Sequence, residues 1–103
     1  MTKTHIWKAW HTIEEPLNGM KKWVVYIVRC RDGSLYTGIT VDVDQRIERH
    51  NVGEGAKYTR SRRPVVLVRT EKHASESKAR KREAEIKSWT RDKKEQLIRS
   101  DAQ

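Results

Sequence analysis

An Asp32-Gly33 pair separates two runs of strand-forming residues, and this arrangement limits the possible folds more than any other feature of the chain. From Trp23 to Cys30 the sequence reads Trp-Val-Val-Tyr-Ile-Val-Arg-Cys, apolar at both alternating positions. That is the composition of a strand covered on both faces and rich in β-branched and aromatic side chains. Ser34 to Ile39 makes a second strand, so the two form a hairpin about the Asp-Gly turn. Loop length then decides which side chains share a face. If Asp32-Gly33 alone turns, Arg31 pairs with Ser34, and Tyr26 and Tyr36 fall on opposite faces. If Arg31-Asp32-Gly33 turns, with Gly33 in the left-handed region, Cys30 pairs with Ser34 instead. Tyr26, Val28, Tyr36 and Gly38 then share one face. We expect the second register, because two phenols can serve a common site only there. Gly38 would lie opposite Tyr26 and leave open space over its ring.

Beyond the hairpin, Asp42 is placed to cap a helix running to about Asn51, with only Val43 and Ile47 as its apolar stripe. Val52-Gly53-Glu54-Gly55 ends that helix and opens a basic loop to Pro64. Val65 to Thr70 is a third strand, and the preceding Pro64 suits a strand start. Ser75 can cap a long helix to about Trp89, and a last helix follows from Thr90 to Arg99, anchored by Leu97 and Ile98. The order β-β-α-β-α-α predicts an α+β domain: a small three-stranded, mostly antiparallel sheet flanked by helices. Residues 1–21 read differently. Trp7, Trp10, His5 and His11 follow no clean period and are succeeded by Pro16, Asn18 and Gly19. We expect an N-terminal extension there, with Met20 opening the domain proper. A short helix over 6–13, with Ile6, Trp10 and Ile13 as a docking stripe, is the rival reading. The domain itself is expected over 22–99, with 100–103 as a tail.

Charge narrows the partner. The 103 residues, enough for one domain, hold 23 Lys+Arg against 14 Asp+Glu, a formal net charge of +9 and a pI near 10.0. Such an excess favours a polyanion, of which nucleic acid is the commonest. Cys30 is alone, so an internal disulfide is out of reach and zinc-ligand spacings are absent. It sits in the strand run and reads as core rather than nucleophile. No apolar run approaches the ~20 residues that span a bilayer, and no secretory signal pattern opens the chain. We expect a cytoplasmic protein with no membrane partner.

The chemistry-bearing residues begin with Tyr26 and Tyr36 and continue on the first helix. Arg46 and His50 stand four apart, so they project from one face, beside Val43 and Ile47 and near the sheet edge. A guanidinium there can hold a phosphate through paired hydrogen bonds, and an imidazole can assist a proton transfer or meet a leaving group. The plainer reading is an ordinary basic helix with an Asp42–Arg46 ion pair. On the long helix, Glu83 stands four after Ala79 and three before Ile86, at the margin of the buried stripe. A carboxylate so placed needs a cation, which can be a neighbouring Lys or Arg or a hard divalent metal such as Mg²⁺. The loop Gly53-Glu-Gly-Ala-Lys57-Tyr58-Thr-Arg60-Ser-Arg62-Arg63 joins cations to an aromatic ring. Lys57, Tyr58, Arg60, Arg62 and Arg63 therefore suit phosphate neutralisation and base stacking. Lys78, Arg80, Lys81 and Arg82 can extend the same footprint, and a merely solvated basic face is the alternative.

Taken in order, Tyr26, Tyr36 with Gly38, Arg46, His50 and Glu83 resemble the GIY-YIG nuclease domain. The runs Leu-Tyr-Thr-Gly-Ile-Thr, Asp-x-x-x-Arg-x-x-x-His-Asn and Gly-x-Gly-Ala-Lys-Tyr-Thr resemble its small stand-alone bacterial branch, over about residues 22–99. Three departures stand out. Val24-Val25-Tyr26 lacks the glycine of the first triplet, Ile39 replaces a lysine of some relatives, and the last helix lacks a matching asparagine. The resemblance implies a metal-dependent endonuclease that hydrolyses DNA phosphodiester bonds by one in-line attack with a single divalent cation, Mg²⁺ or Mn²⁺. It implies Glu83 as the metal ligand and Tyr26 as general base or orienter of the attacking water. Tyr36 would hold that water or the phosphate, and Arg46 would offset charge on the phosphoryl oxygens. With a phenol's ordinary pKa near 10, Tyr26 would need a nearby cation to deprotonate at neutral pH. The expected partner is DNA, branched, nicked or single-stranded forms included, cut with weak sequence selectivity. Two other readings stay open: a nucleic-acid-binding module of the same fold with little or no catalysis, and a protein-interaction domain recruited to a DNA-repair complex.

Overall fold

A computed structural model describes residues 22–100; the stretch 1–21, with the alternative helix over 6–13, and residues 101–103 lie outside the described residues. Strand β1 (Trp23–Arg29) is the centre of a three-stranded antiparallel sheet, with β2 (Leu35–Thr40) on one side and β3 (Val66–His73) on the other. Its central position explains the unbroken apolar run, since both faces of β1 are covered. On one face Val25 and Ile27 meet Ala79 and Ile86, with Trp23, Ile39 and Trp89 packed around them. On the other, Tyr26, Val28, Cys30 and Val65 are buried together beneath Tyr36 and Ile47. Cys30 is thus core, as its setting in the sequence predicts.

The hairpin takes the three-residue loop. The Cys30 amide donates to the Ser34 carbonyl at 2.8 Å, and the Gly33 amide donates to the Cys30 carbonyl at 2.9 Å. Gly33 has φ +89°, a conformation open to glycine at no steric cost. The Asp32 side chain fixes the turn by accepting from the Ser34 amide at 3.0 Å and the Ser34 hydroxyl at 2.6 Å. Tyr26 consequently pairs with Gly38, and Val28 with Tyr36, so both phenols share a face.

Among the described residues four helices accompany the sheet: α1 (Val43–Asn51), α2 (Lys57–Arg60), α3 (Glu76–Lys87) and α4 (Arg91–Ser100). The two expected caps form, with Asp42 accepting from the Gln45 amide at 3.0 Å and Ser75 from the Lys78 amide at 3.2 Å. Helix α1 lies over the Tyr26 face, where Ile47 packs, and α3 lies over the opposite face through Ala79 and Ile86. Two details differ from the sequence expectation. The four-residue α2 stands inside what reads as a basic loop, too short to leave a periodic signal. Strand β3 runs past Thr70 to His73, because Trp23, Val24 and Val25 continue to pair with it. Polar residues are tolerated there because ion pairs hold them: Glu71 receives Arg82 at 2.8 Å and Arg69 at 2.9 Å. Helix α4 is tied to the central strand by a two-pronged Arg29–Glu95 contact at 2.8 and 2.9 Å. Among the described residues no helix is long and apolar enough to cross a membrane.

Candidate functional site

The site starts with the bare backbone of Gly38. A Cβ built there would lie 2.5 Å from the Tyr26 phenol oxygen and 2.7 Å from the ring carbon that carries it. The Tyr26 ring therefore crosses the strand pair over Gly38, a path that any side chain would close. The ring centroid of Tyr36 lies 6.4 Å from that of Tyr26 and 5.4 Å from that of His50. Because β2 is an outer strand, α1 on one face and α3 on the other approach each other across its edge. There Tyr26, Tyr36, Arg46, His50 and Glu83 line one cleft of about 200 Å³. Every residue assigned to catalysis or metal binding from the sequence borders it. Arg80, one turn before Glu83, borders it as well.

His50 is buried, and both of its ring nitrogens are engaged. The Thr59 hydroxyl donates to the Ala56 carbonyl oxygen at 3.0 Å, so toward His50 it can only accept. The 2.8 Å contact from His50 Nδ1 to Thr59 Oγ1 thus places the imidazole proton on Nδ1. Nε2 is left as the acceptor, and it takes the Tyr26 hydroxyl proton at 2.8 Å. The chain of donors runs in one direction, from Tyr26 through His50 and Thr59 to the backbone of Ala56. Gly55 belongs to the same construction, because a Cβ there would collide with the His50 ring. Sequence reasoning passed over Thr59 and Gly55. Their only sign was membership of the Gly-x-Gly-Ala-Lys-Tyr-Thr run, since a hydroxyl in a loop has no pattern that announces burial.

Electrostatics sharpen these roles. Burial first, and then the neighbouring Tyr36, push the Tyr26 phenol well above its ordinary value; Arg46 pulls it back less strongly, and Glu83 adds a smaller upward push. The cation expected to deprotonate Tyr26 is present, yet desolvation outweighs it, so the phenol is protonated at neutral pH. Burial and then Arg46 depress the pKa of His50, which keeps its imidazole neutral and able to accept. Arg46 itself forms no ion pair among the described residues; Asp42 serves the helix cap instead of pairing with it. The guanidinium is thus available at the cleft wall.

Of the two partners that its sequence position left open for Glu83, the structure shows the neighbouring lysine. Its carboxylate is 19% exposed, borders the cleft and meets Lys87 Nζ through Oε2 at 3.2 Å. Oε1 has no hydrogen-bond partner among the described residues. Among those residues, no three His, Cys, Asp or Glu side chains gather as a ligand cluster, so the donor set at the cleft is one carboxylate with two phenols. Hard, single-carboxylate sites of this kind suit Mg²⁺, which retains water and takes phosphate oxygens for its other positions.

The basic loop divides into distinct roles. Tyr58 stacks on Tyr36, with centroids 6.1 Å apart and rings inclined by 20°, and extends the aromatic surface outward from the cleft. Arg62 lies over the Tyr58 ring, 3.9 Å from its centroid. It also donates to Asp32 at 3.2 Å and to the Tyr58 carbonyl at 2.7 Å, so this cation braces the loop. Lys57 and Arg60 are exposed, and Arg63 donates to the Arg60 carbonyl at 2.8 Å.

Comparison with known proteins agrees with this arrangement. The model of the GIY-YIG catalytic domain matches residues 22–96. A UPF0213 protein of Staphylococcus aureus (strain Mu3) is 58% identical over 80 residues, which cover 78% of this chain and 98% of that protein. The solution structure of the UPF0213 protein BH0048 from Bacillus halodurans is 52% identical, with a TM-score of 0.50, over 75% of this chain and 82% of that one. That of protein EF2693 from E. faecalis is 44% identical with a TM-score of 0.57, over 80% of this chain and 88% of that one. The hairpin register, the paired phenols and the family match lead to one assignment: this chain belongs to the GIY-YIG catalytic-domain family.

Proposed function

We propose that this protein is a metal-dependent endonuclease that hydrolyses DNA phosphodiester bonds with weak sequence selectivity. Membership of the GIY-YIG family makes the domain nuclease-type and its partner a nucleic acid. The observation that carries the finer reading is the shared cleft, where two phenols, the Arg46 guanidinium and one carboxylate stand together on a strongly basic chain. Glu83 would hold a divalent cation, Mg²⁺ or Mn²⁺, beside Tyr26 and Tyr36. When bound, such an ion polarises a phosphoryl oxygen and acidifies water. The Arg46 guanidinium offsets charge as it accumulates on the non-bridging oxygens, and its lack of an ion pair among the described residues leaves its donors for that purpose. Tyr36, on the cleft wall between Tyr26 and Tyr58, orients the attacking water or the phosphate.

Proton transfer follows from the direction of the hydrogen bonds. Tyr26 already carries its proton, so to receive one from the attacking water it must first release its own. His50 Nε2 lies 2.8 Å away as acceptor, and Thr59 holds the imidazole in the tautomer that can accept. His50 acts through the phenol and does not meet the leaving group, because both ring nitrogens face protein partners. The scissile phosphate supplies the negative charge that tolerates a transient imidazolium next to Arg46.

Cleavage of plasmid and of flap, junction and single-stranded oligonucleotides, with and without Mg²⁺, tests this reading. The parent chain should cut only with the metal, and Glu83→Ala and Tyr26→Phe should each lose at least about a hundredfold in rate, the usual effect of removing an acid–base or electrostatic group. If both variants cut as fast as the parent, the assignment is wrong. If the parent binds DNA equally well in EDTA but never cuts, the domain is a binding module that keeps the fold without turnover.

A further inference from the structure

Away from the cleft, Arg31, Arg60 and Arg63 converge with Asn51, Ser61 and Pro64 on a cavity of about 410 Å³, roughly twice the volume of the cleft. We propose that this cavity is a second nucleic-acid site, which takes a phosphodiester of the bound strand at a distance from the bond being cut. The proposal rests on the nuclease-type reading for the identity of its occupant, and it adds where the rest of the strand lies.

The lining selects for an anion. Three arginines line the cavity and no Asp or Glu does. The acids closest in sequence are already committed: Asp32 to Ser34 and Arg62, and Glu54 to Arg49 at 3.6 Å. The side chains of Arg31 and Arg60 make no hydrogen bond or ion pair among the described residues. Arg63 lies along the backbone of Gly53, whose missing Cβ would stand 2.9 Å from its Nη1, and its Nε holds the Arg60 carbonyl. That guanidinium is oriented before any ligand arrives. Asn51 contributes wall and no free acceptor, because its amide donates to the Val65 carbonyl at 3.1 Å and accepts from the Val65 amide at 2.7 Å. Ser61 adds a hydroxyl. Planar, fixed forks of N–H donors match phosphate oxygens in pairs, and a cavity of this size has room for a diester with its adjoining sugars.

The placement points to a polymer and not to a free anion. The cavity and the cleft share no lining residue, yet they are joined through α1, where His50 borders one and Asn51 the other. A strand whose scissile phosphate sits against Arg46 can therefore continue over the end of α1 into the arginine cavity. Arg62, in the same stretch of sequence, has a different task as the brace of Tyr58.

The test measures binding separately from cutting. A Glu83→Gln chain in EDTA is titrated with a labelled oligonucleotide of about 20 nucleotides over a range of salt, followed by fluorescence anisotropy. Each arginine withdrawn from a phosphate should lower the slope of log K against log salt by about 0.7 for a single strand and about 0.9 for a duplex. Adding Arg31→Gln and Arg60→Gln together should lower it by about 1.4 on the single strand, and Arg31→Lys with Arg60→Lys should restore it. An unchanged slope in the glutamine pair overturns the proposal. So does displacement of the oligonucleotide from Arg31 and Arg60 by millimolar inorganic phosphate, read from their ¹⁵Nε–H signals, because the cavity would then serve a free anion. If the slope falls but the parent never cuts, the cavity stands and the nuclease reading fails. If the parent cuts and the slope holds, the cavity alone fails.

Discussion

Replacing Thr59 with valine removes one hydroxyl, keeps the side-chain shape, and interrupts the proton path behind Tyr26. Thr59 is fully buried, so water cannot take the place of the missing oxygen. Two hydrogen bonds go with it: the bond from His50 Nδ1 at 2.8 Å and the bond to Ala56 at 3.0 Å. The second matters little, because the Ala56 carbonyl still accepts from the Thr59 amide at 3.2 Å. The first leaves a buried N–H without an acceptor, which costs about 1–3 kcal/mol. In a domain of this size that corresponds to a fall in melting temperature of about 4–8 °C per kcal/mol. The ring has one escape: moving its proton to Nε2, where it would face the Tyr26 oxygen and could no longer accept the phenol proton. Thr59→Val should therefore lose both stability in a urea titration and cleavage rate with Mg²⁺, while Thr59→Ser recovers both. Imidazole ¹⁵N shifts provide the decisive measurement. The parent should show a protonated Nδ1 and a bare Nε2, and the valine variant a shift toward the other tautomer. A parent His50 protonated at Nε2 would refute the reasoning, whatever the variant does to the rate.

Gly38→Ala should cost about 1–3 kcal/mol by overpacking, since its methyl would sit 2.5 Å from the phenol oxygen of a ring that is itself 2% exposed; an unchanged thermal midpoint would show that the ring has room to move. Stability should also fall in acid. Glu71 is held at about 2 by Arg82 and Arg69, against 4.5 for a free carboxylate. The unfolded chain takes up this proton first, so the stabilisation is complete above pH 4.5 and is lost as pH falls toward 2. Glu71→Gln should flatten that part of the denaturation profile, and an equally steep acid limb would assign the effect to other carboxylates. His50 acts in the same direction at higher pH. Because its folded pKa lies below the ordinary 6.5, the folded state resists a proton that the unfolded chain accepts, and stability should drop as pH falls below about 6.5. His50→Gln should remove that component from urea titrations made between about pH 7 and 5.

The sequence alone determined the order of the three strands and the three longer helices, the caps at Asp42 and Ser75 and the coverage of the first strand on both faces. These are local or periodic properties, set by turn chemistry, by side chains that bond their own backbone, and by apolar spacing. It also supplied the names of the cleft residues, through spacing and family resemblance. It left the hairpin register as a choice between two loops, and the structure made that choice through Gly33 and Asp32. Only the tertiary structure could bring Thr59 beneath His50, set desolvation of Tyr26 against the pull of Arg46, and divide the arginines of one loop between a brace and a cavity. Each of those outcomes depends on contacts between residues 9 to 32 positions apart, where direction, burial and competition for partners are fixed by packing and leave no periodic trace along the chain.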